Sequence, residues 1–261
     1  MSIITLTTDF GTDSPYVAAM KGTILSIAPT ATIVDITHAI PPQDVREGAV
    51  VLENIAHRFP DGTIHVVVVD PGVGTERAIV YAKIGGHHFI APDNGVLSRV
   101  AKRTAPVEVI RLENTEYWLD KVSSTFHGRD IMAPVAAHLS LGIEPSRFGP
   151  PHGELGQLEW PNAVRRQDRV EGVVLKVDSF GNLITNITAD MLVGQPTDGR
   201  ACVICSIYET WGIYQTYGDQ PRGTLIALIG SDGCIELSIV GESAAERLGI
   251  QVGVPVIVAW E

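Results

Sequence analysis

The chain has 261 residues, enough for one large domain or two smaller ones, and 45% of them are hydrophobic, which suffices for a substantial core. Its formal net charge of −11 disfavours a general nucleic-acid binder, which would carry a basic patch. Three cysteines suit a reducing compartment, no signal peptide is indicated and no apolar run approaches the ~18 residues of a membrane span, so we expect a cytoplasmic protein without membrane partners.

The first 150 residues alternate predicted strands with amphipathic helices. Ser14 followed by Pro15 predicts a helix start, with the serine hydroxyl as the cap. Strands are predicted at 3–8, 32–36, 66–69, 79–84, 88–91 and 107–112, and further helices at 45–59, after the turn at 93–94, and at 126–142. The alternation predicts a layered α/β domain over residues 1–150.

The pattern changes after residue 150. Residues 151–169 hold prolines and mixed charges without periodicity, which indicates a linker. Residues 170–261 consist of short apolar runs separated by glycine and aspartate turns, with a single short helix expected at 243–248. Strands at this spacing predict a smaller all-β domain, a sandwich or a barrel.

Acidic side chains follow two of the predicted strands directly. Four consecutive valines end at Asp70, and Arg77 lies across the turn that follows, while Asp9 follows the first strand. In open α/β sheets, reactive groups lie beyond the carboxyl ends of buried strands, so these positions are candidates for a site. A turn-capping aspartate beside a solvated arginine is the alternative interpretation.

Other polar groups fit structural roles as well as functional ones. Asp93 and Asn94 fit a turn and a cap, and the Arg129–Asp130 pair fits an ion pair within one helix turn. The segment 178–182 fits a plain hairpin turn. The strand-like flanks of the C-x-x-C pair, Cys202 and Cys205, predict buried thiols, and the histidines show no ligand spacing, so we expect no metal site.

Seven motifs in order are more specific than any one position. They are TTDFGTxxPYVAAMKG, HxIPPQDVxEGA, VVDPGVGTxR, APDNGVL, STFHGRDIMAPVAAHL, DSFGNLITNI and SAAERLG. Together they resemble the S-adenosylmethionine (SAM) hydroxide adenosyltransferase family, which is related to the bacterial SAM-dependent fluorinases and chlorinases. The resemblance covers nearly the full chain and is weakest in the linker and at 197–222.

The resemblance implies a fold, an assembly and a reaction. It implies an N-terminal α/β/α domain, a β-barrel-like C-terminal domain, and a homotrimer whose sites lie between the N-terminal domain of one chain and the C-terminal domain of the next. It implies that water attacks the ribose C5′ of SAM and releases adenosine and L-methionine, with SAM as substrate and no cofactor. The implied catalytic residues are Asp70, Arg77 and His127.

The resemblance also implies substrate contacts. Asp9 holds the ribose, Phe180 and Asn182 contact adenine, Asp178 meets the methionine ammonium, and Ser231 lies near its carboxylate. Two departures from the family pattern bear on these contacts. Ser14, in the substrate-binding set, stands where relatives usually have aspartate, and 230–234 lacks the asparagine and aromatic residues common there.

The physics of the nucleophile favours water over halide. A carboxylate ~4 Å from a bare anion would oppose its binding by up to roughly 4 kcal/mol at an effective dielectric near 20. Asp70 stands where halide-using relatives carry an uncharged residue, and His127 with Gly128 replaces their Tyr-Ser pair. A halogenase on the same scaffold, and a module that binds SAM or adenosine without turnover, remain the alternatives.

Overall fold

The computed structural model of the chain describes residues 2–260. This part divides after Leu158 into two compact units, so the division falls within the segment 151–169. The first unit holds a mixed six-stranded sheet and four α-helices, and the second is almost entirely β. The prediction of an α/β part followed by an all-β part is therefore confirmed at this level, while the domain limits stay a prediction.

The first unit is built on one sheet of order β2-β1-β3-β5-β4-β6. Neighbours from β2 to β5 are parallel, whereas β4 pairs antiparallel with both β5 and β6. The strands are β1 (Ile3–Thr8), β2 (Thr32–Thr37), β3 (Ile64–Val68), β4 (Ile79–Ile84), β5 (His87–Pro92) and β6 (Pro106–Arg111). Each of the six corresponds to a predicted strand.

Strand β3 lies at the centre of the sheet and is buried on both faces. Val66 and Val68 belong to the hydrophobic core on one face, and Val67 and Val69 belong to the core on the other. This alternation confirms that the run of valines is a doubly buried strand. Because β1 and β3 are parallel with Thr8 opposite Val68, their carboxyl ends meet at one edge of the sheet.

The helices of the first unit are α1 (Tyr16–Ile27), α2 (Val45–Ile55), α3 (Ser98–Arg103) and α4 (Ala133–Ser140). The predicted cap of α1 was wrong: Pro15 occupies the capping position, and the Ser14 hydroxyl donates instead to the Phe10 carbonyl at 3.0 Å. The predicted helix 126–142 begins with a wide π-helical turn, Gly128–Met132, before α4. Proline therefore sets the start of α1 through its fixed φ.

The second unit is one strongly curved sheet of nine strands that is nearly a barrel. Its order is β11-β10-β15-β8-β9-β14-β13-β12, with β7 paired on β8, and the Thr210 hydroxyl of β11 donates to the Leu225 carbonyl of β13. The strands are β7 (Val164–Arg165), β8 (Arg169–Val177), β9 (Leu183–Thr188), β10 (Ala201–Cys205), β11 (Tyr208–Trp211), β12 (Ile213–Tyr214), β13 (Leu225–Ile229), β14 (Cys234–Ile239) and β15 (Pro255–Trp260). Since β7 lies within 151–169, the predicted linker contributes a strand.

Two further predictions for the second unit are confirmed. The short helix α5 (Ala244–Leu248) is capped by the Ser243 hydroxyl, which accepts from Glu246 N at 3.2 Å. Cys202 and Cys205 are buried on β10, and burial raises the pKa of the Cys205 thiol to about 11. Such a thiol stays protonated and packs as a small apolar group. Across residues 2–260, none of the helices has the length and apolar character needed to cross a bilayer.

Candidate active site

Asp70 and Arg77 form a bidentate ion pair just beyond the carboxyl end of β3. Arg77 Nε lies 3.0 and 2.9 Å from the two carboxylate oxygens of Asp70, and Nη2 lies 2.5 Å from Oδ2. The side chains are only 4% and 12% exposed. Because a planar guanidinium matches a carboxylate in this geometry, each group holds the other in one orientation.

The turn between Asp70 and Arg77 closes tightly because of its glycines. Gly74 adopts φ +79°, and a side chain there would come within 2.3 Å of the Ser124 carbonyl. Glycine is therefore needed at this position for two reasons: it adopts the left-handed conformation readily, and it lets the turn pack closely against the Ser124 carbonyl. The contact joins the turn after β3 to the loop that precedes His127.

His127 comes from a distant part of the chain and completes the cluster. Its ring Nδ1 lies 2.9 Å from Arg77 Nη2, 50 residues away in sequence. Gly128 makes this approach possible, since a Cβ at this position would lie 3.0 Å from a methyl group of Val68 and 3.4 Å from the Met20 sulfur. The absence of a side chain lets the π-helical turn lie directly on β3.

The hydrogen bond from Arg77 fixes the protonation of His127. A guanidinium only donates, so Nδ1 must accept and the neutral ring carries its proton on Nε2. Burial, followed by the neighbouring Arg77, lowers the pKa of His127, with Asp70 and Asp130 opposing the shift. The cluster therefore contains an Nε2–H donor on His127 and, on the other side of Arg77, a carboxylate whose charge the guanidinium balances.

Asp9 lies at the same edge of the sheet, at the end of β1. Its Oδ2 accepts a hydrogen bond from the Gln43 backbone N–H at 2.8 Å, and Gln43 adopts φ +66°, a conformation uncommon outside glycine. This bond orients the Asp9 carboxylate. Phe10 and Tyr16 pack edge-on against Phe126, so the loop that carries Asp9 contacts the residue next to His127.

The remaining polar candidates of the first unit are structural. Asn94 Nδ2 donates to the Val69 carbonyl at 2.8 Å, while Asp93 accepts from His152 Nε2 at 2.9 Å. Asp130, fully buried, pairs with Arg129 at 2.6 Å and accepts from a backbone N–H. The interpretations of 93–94 as a turn and of Arg129–Asp130 as an ion pair are confirmed, but the predicted cap was wrong. Leu97 precedes α3 without a side-chain cap, and Asn94 Oδ1 accepts instead from Val96 N within the turn.

Ser14 also lies in the first unit, and the four remaining predicted contact residues lie in the second unit, around a cleft of about 470 Å³. Asp178, Phe180 and Ser231 line it, whereas Asn182 lines an adjoining depression together with Phe180. Asp178 Oδ1 accepts the backbone N–H groups of Phe180 and Asn182, and its Oδ2 accepts from Asn182 Nδ2 at 2.9 Å. The turn thus holds Phe180 outward, with 77% of its surface exposed.

The sequence analysis did not identify Lys176, Tyr217 and Glu236, which also line this cleft. In β14 the apolar residues alternate with Glu236 and Ser238, which predicts a solvent-facing glutamate. Glu236 is nevertheless only 5% exposed, and the Tyr217 hydroxyl, 19 residues away in sequence, contacts its carboxylate. Nothing in the local pattern gives a signal for this burial.

Comparison with known proteins relates both units to one family. Residues 4–149 match the SAM hydroxide adenosyltransferase N-terminal domain, and residues 172–257 match the C-terminal domain of the same name. Proteins named (R)-S-adenosyl-L-methionine hydrolase are similar: that of Salinispora arenicola is 36% identical over 96% of this chain and 95% of its own length, and that of Thermus thermophilus 37% over 95% and 96%. A fluorinase of Nocardia brasiliensis is 29% identical over 97% and 95%.

Solved structures resemble the whole chain as well. An uncharacterized conserved protein from Thermotoga maritima has 35% sequence identity and a TM-score of 0.92, covering 99% of this chain and 100% of its own. A conserved hypothetical protein from Thermus thermophilus has 34% identity and a TM-score of 0.80, and the match likewise covers 99% of this chain and 100% of that protein. The similarity therefore extends over both units.

Proposed function

The chain belongs to the SAM hydroxide adenosyltransferase family, and we propose on this basis that it hydrolyses S-adenosyl-L-methionine to adenosine and L-methionine. The observation that carries the proposal is that Arg77 lies within hydrogen-bond distance of both Asp70 and His127 and so brings the three side chains together. The carboxylate and the Nε2–H group are an acceptor and a donor, the pair needed to hold one water molecule.

In the proposed mechanism the water oxygen attacks C5′ in line with the C5′–S bond. The electron pair of that bond goes to sulfur, and the sulfonium leaves as the neutral thioether of L-methionine. Asp70 accepts a hydrogen bond from the attacking water, while Nε2 of His127 donates to its oxygen and orients it.

Asp70 need not deprotonate free water, which has a pKa of ~15.7. Attack by neutral water forms a protonated alcohol, which is a strong acid, so an ordinary carboxylate suffices to take its proton once the C–O bond has formed. Arg77 holds the carboxylate in place and balances its charge before that proton arrives.

The charges of the cluster also support water rather than halide. Asp70 would repel a bare anion at the nucleophile position, and Arg77 already donates to both Asp70 oxygens and to His127. Because a neutral ring and a balanced ion pair leave no net positive charge, the site offers little stabilisation to chloride or fluoride.

Substrate contacts follow the family pattern in the same proposal. In the first unit, Asp9 binds the ribose hydroxyls and Ser14 lies near the methionine end. In the second unit, Phe180 stacks on adenine, Asn182 contacts its edge, and Asp178 with Ser231 binds the amino-acid part; all four line the cleft or its adjoining depression. The domain limits 1–150 and 170–261 belong to this proposal.

Assembly and setting are also part of the proposal. The chain forms a homotrimer in which the first unit of one chain and the second unit of the next complete each site. The reaction takes no cofactor, because the sulfonium is already a good leaving group. The low number of cysteines, three in the whole chain, favours a reducing compartment such as the cytoplasm.

Incubating the purified protein with SAM and separating the products tests the reaction. We expect equimolar adenosine and L-methionine, with the rate lost in Asp70→Ala. A 5′-halo-adenosine formed on adding chloride or fluoride would instead identify a halogenase. Tight SAM binding without adenosine formation would identify a binding module.

A further inference from the structure

The carboxylate of Glu236 is buried beneath the cleft of the second unit. One of its oxygens, Oε1, accepts two hydrogen bonds, and the other, Oε2, is directed to the cleft. Oε1 accepts from the Tyr217 hydroxyl at 2.6 Å and the Ser238 hydroxyl at 2.7 Å. Oε2 lies beside Gly230, where even a methyl group would come within 2.8 Å of it. Since Glu236 and Gly230 both line the cleft, the missing side chain leaves Oε2 accessible from it.

Two hydroxyl groups donate hydrogen bonds to Oε1 of Glu236. Burial, followed by the bond to Glu236, raises the pKa of the Tyr217 phenol, so the phenol stays protonated and donates. The Ser238 hydroxyl donates to the same oxygen. Both hydrogen-bond partners of Oε1 are therefore uncharged hydroxyl groups.

Glu236 lacks a cation to balance it. Within residues 2–260, no side-chain amine or guanidinium forms an ion pair with it. A buried carboxylate without a counter-charge is costly, and a cationic ligand group in the cleft would remove that cost.

A cation lies on the opposite side of the same cleft. Lys176 on β8 pairs with Ile184 on β9, and Ile184 pairs with Glu236 on β14, so the three form one row across the sheet. Two strand spacings place the backbones of Lys176 and Glu236 roughly 10 Å apart. Lys176 Nζ lies 4.0 Å from Asp232, a loose contact that leaves it able to reach a ligand.

We propose that Glu236 binds the α-ammonium group of the substrate's methionine part and that Lys176 attracts its carboxylate. The proposal rests on the proposed function and adds to the role given to Asp178, whose two oxygens already accept three hydrogen bonds from its own turn. An α-amino acid carries both charges on one carbon, which complements an anion and a cation facing each other across the cleft.

Two ligands that differ only at the amino-acid end test the proposal. S-Adenosyl-L-homocysteine and 5′-methylthioadenosine share the adenosine and a neutral sulfur, but only the first carries the ammonium and carboxylate groups. We expect calorimetry on E236Q to show affinity for S-adenosyl-L-homocysteine reduced about tenfold or more, with affinity for methylthioadenosine within about twofold of wild type. K176Q should show the same selective loss.

Ser238→Ala is the matched control, because it removes one hydrogen bond to Oε1 and leaves the charge. It should leave the ratio of the two affinities unchanged. Equal weakening of both ligands in E236Q would assign Glu236 a purely structural role and overturn the proposal, as would no change in either. Wild-type protein that binds neither ligand would instead contradict the proposed function itself.

Circular dichroism should first establish that E236Q folds. If E236Q does not fold, the test uses wild-type protein. Calorimetry then compares its affinity for S-adenosyl-L-homocysteine with its affinity for the deamino analogue, which lacks only the ammonium group. A loss of about tenfold relative to S-adenosyl-L-homocysteine supports the ammonium contact, and a loss below twofold overturns it.

Discussion

At the scale of single residues, Arg77 has two simultaneous tasks. It forms a fork with Asp70 and donates a further hydrogen bond to His127, so one guanidinium fixes both partners. A lysine ammonium is a point charge without this planar fork. Loss of the fork would free the Asp70 carboxylate and the His127 ring to rotate away from the attacking water.

We therefore expect Arg77→Lys to lower kcat about 10²- to 10³-fold with little change in KM, because positioning of the nucleophile is used in the transition state. Steady-state assays of adenosine release measure this. Arg200→Lys is the matched control, since Arg200 forms a comparable fork with Asp198 on the exposed surface of the second unit. Wild-type kcat in R77K would remove Arg77 from the mechanism.

Because His127 is neutral in the proposed mechanism, its protonation should cause the decrease of kcat at low pH, the acid limb of the pH profile. Protonation of Nδ1 would break the bond from Arg77 and place two cations side by side. Because burial and Arg77 lower the pKa of His127, kcat should be retained above the ordinary value of 6.5 and fall only as pH drops through the lowered pKa.

A kcat–pH profile of the wild type measures this limb. His127→Asn should lower kcat throughout and lose the limb, because asparagine does not titrate in this range. A limb centred above 6.5, or one that persists in the variant, would mean that another group controls activity.

At the scale of elements, the approach of the π-helical turn to β3 sets the position of His127. Gly128→Ala should push this turn outward, because a methyl group would meet Val68 at 3.0 Å and overpacking of this kind costs about 1–3 kcal/mol. We expect both a lower unfolding free energy in urea and a lower kcat.

Gly22→Ala provides the contrast for Gly128→Ala. Gly22 lies within α1 with open space where its Cβ would be, so alanine there should stabilise the helix by about 0.5–1 kcal/mol and leave kcat unchanged. If Gly128→Ala matched this result, the close packing of the turn on β3 would not position the site.

The pairing of β1 with β3 buries a histidine that resists protonation. His65, fully buried opposite Thr5, hydrogen-bonds to its hydroxyl at 2.8 Å, and burial lowers the pKa of His65 to about 3. The unfolded chain binds the proton below pH 6.5 and the folded chain does not. Stability should therefore be full above pH 6.5 and fall by roughly 4 kcal/mol as pH drops toward 3.

Urea unfolding at several pH values measures that decline. His65→Gln should flatten it over this range, whereas His57→Gln, at an exposed position, should leave it as in the wild type. An unchanged slope in His65→Gln would show that other groups cause the acid destabilisation.

At the scale of the whole molecule, the sequence predicted elements better than their contacts. Periodicity located the six strands of the first unit, and the run of valines gave the buried strand before Asp70. Local pattern could not show that Arg77 would bond His127 across 50 residues, since this depends on packing around Gly74 and Gly128. It likewise missed the burial of Glu236, whose carboxylate is contacted by Tyr217 from a separate loop.

The proposed assembly makes a prediction that no single chain can satisfy. Light scattering should give a mass near three times 28.0 kDa. Asp70→Asn impairs the first unit and E236Q the second, so each homotrimer should have impaired sites only. In a cyclic trimer assembled from an equal random mixture, each site takes its first unit from one chain and its second unit from the next. Each of these units is intact in half of the chains, so roughly one quarter of the sites have both units intact.

Denaturing the two variants together and refolding them measures this complementation against each variant refolded alone. Turnover is measured at SAM concentrations well below KM, where the weakened affinity of E236Q lowers the rate. Turnover near one quarter of the wild-type level then supports sites completed by neighbouring chains, because no single chain in the mixture has both units intact. If light scattering finds trimers and turnover stays at the level of the separate variants, each chain holds its own complete site. A monomeric mass at working concentration would contradict the trimer itself.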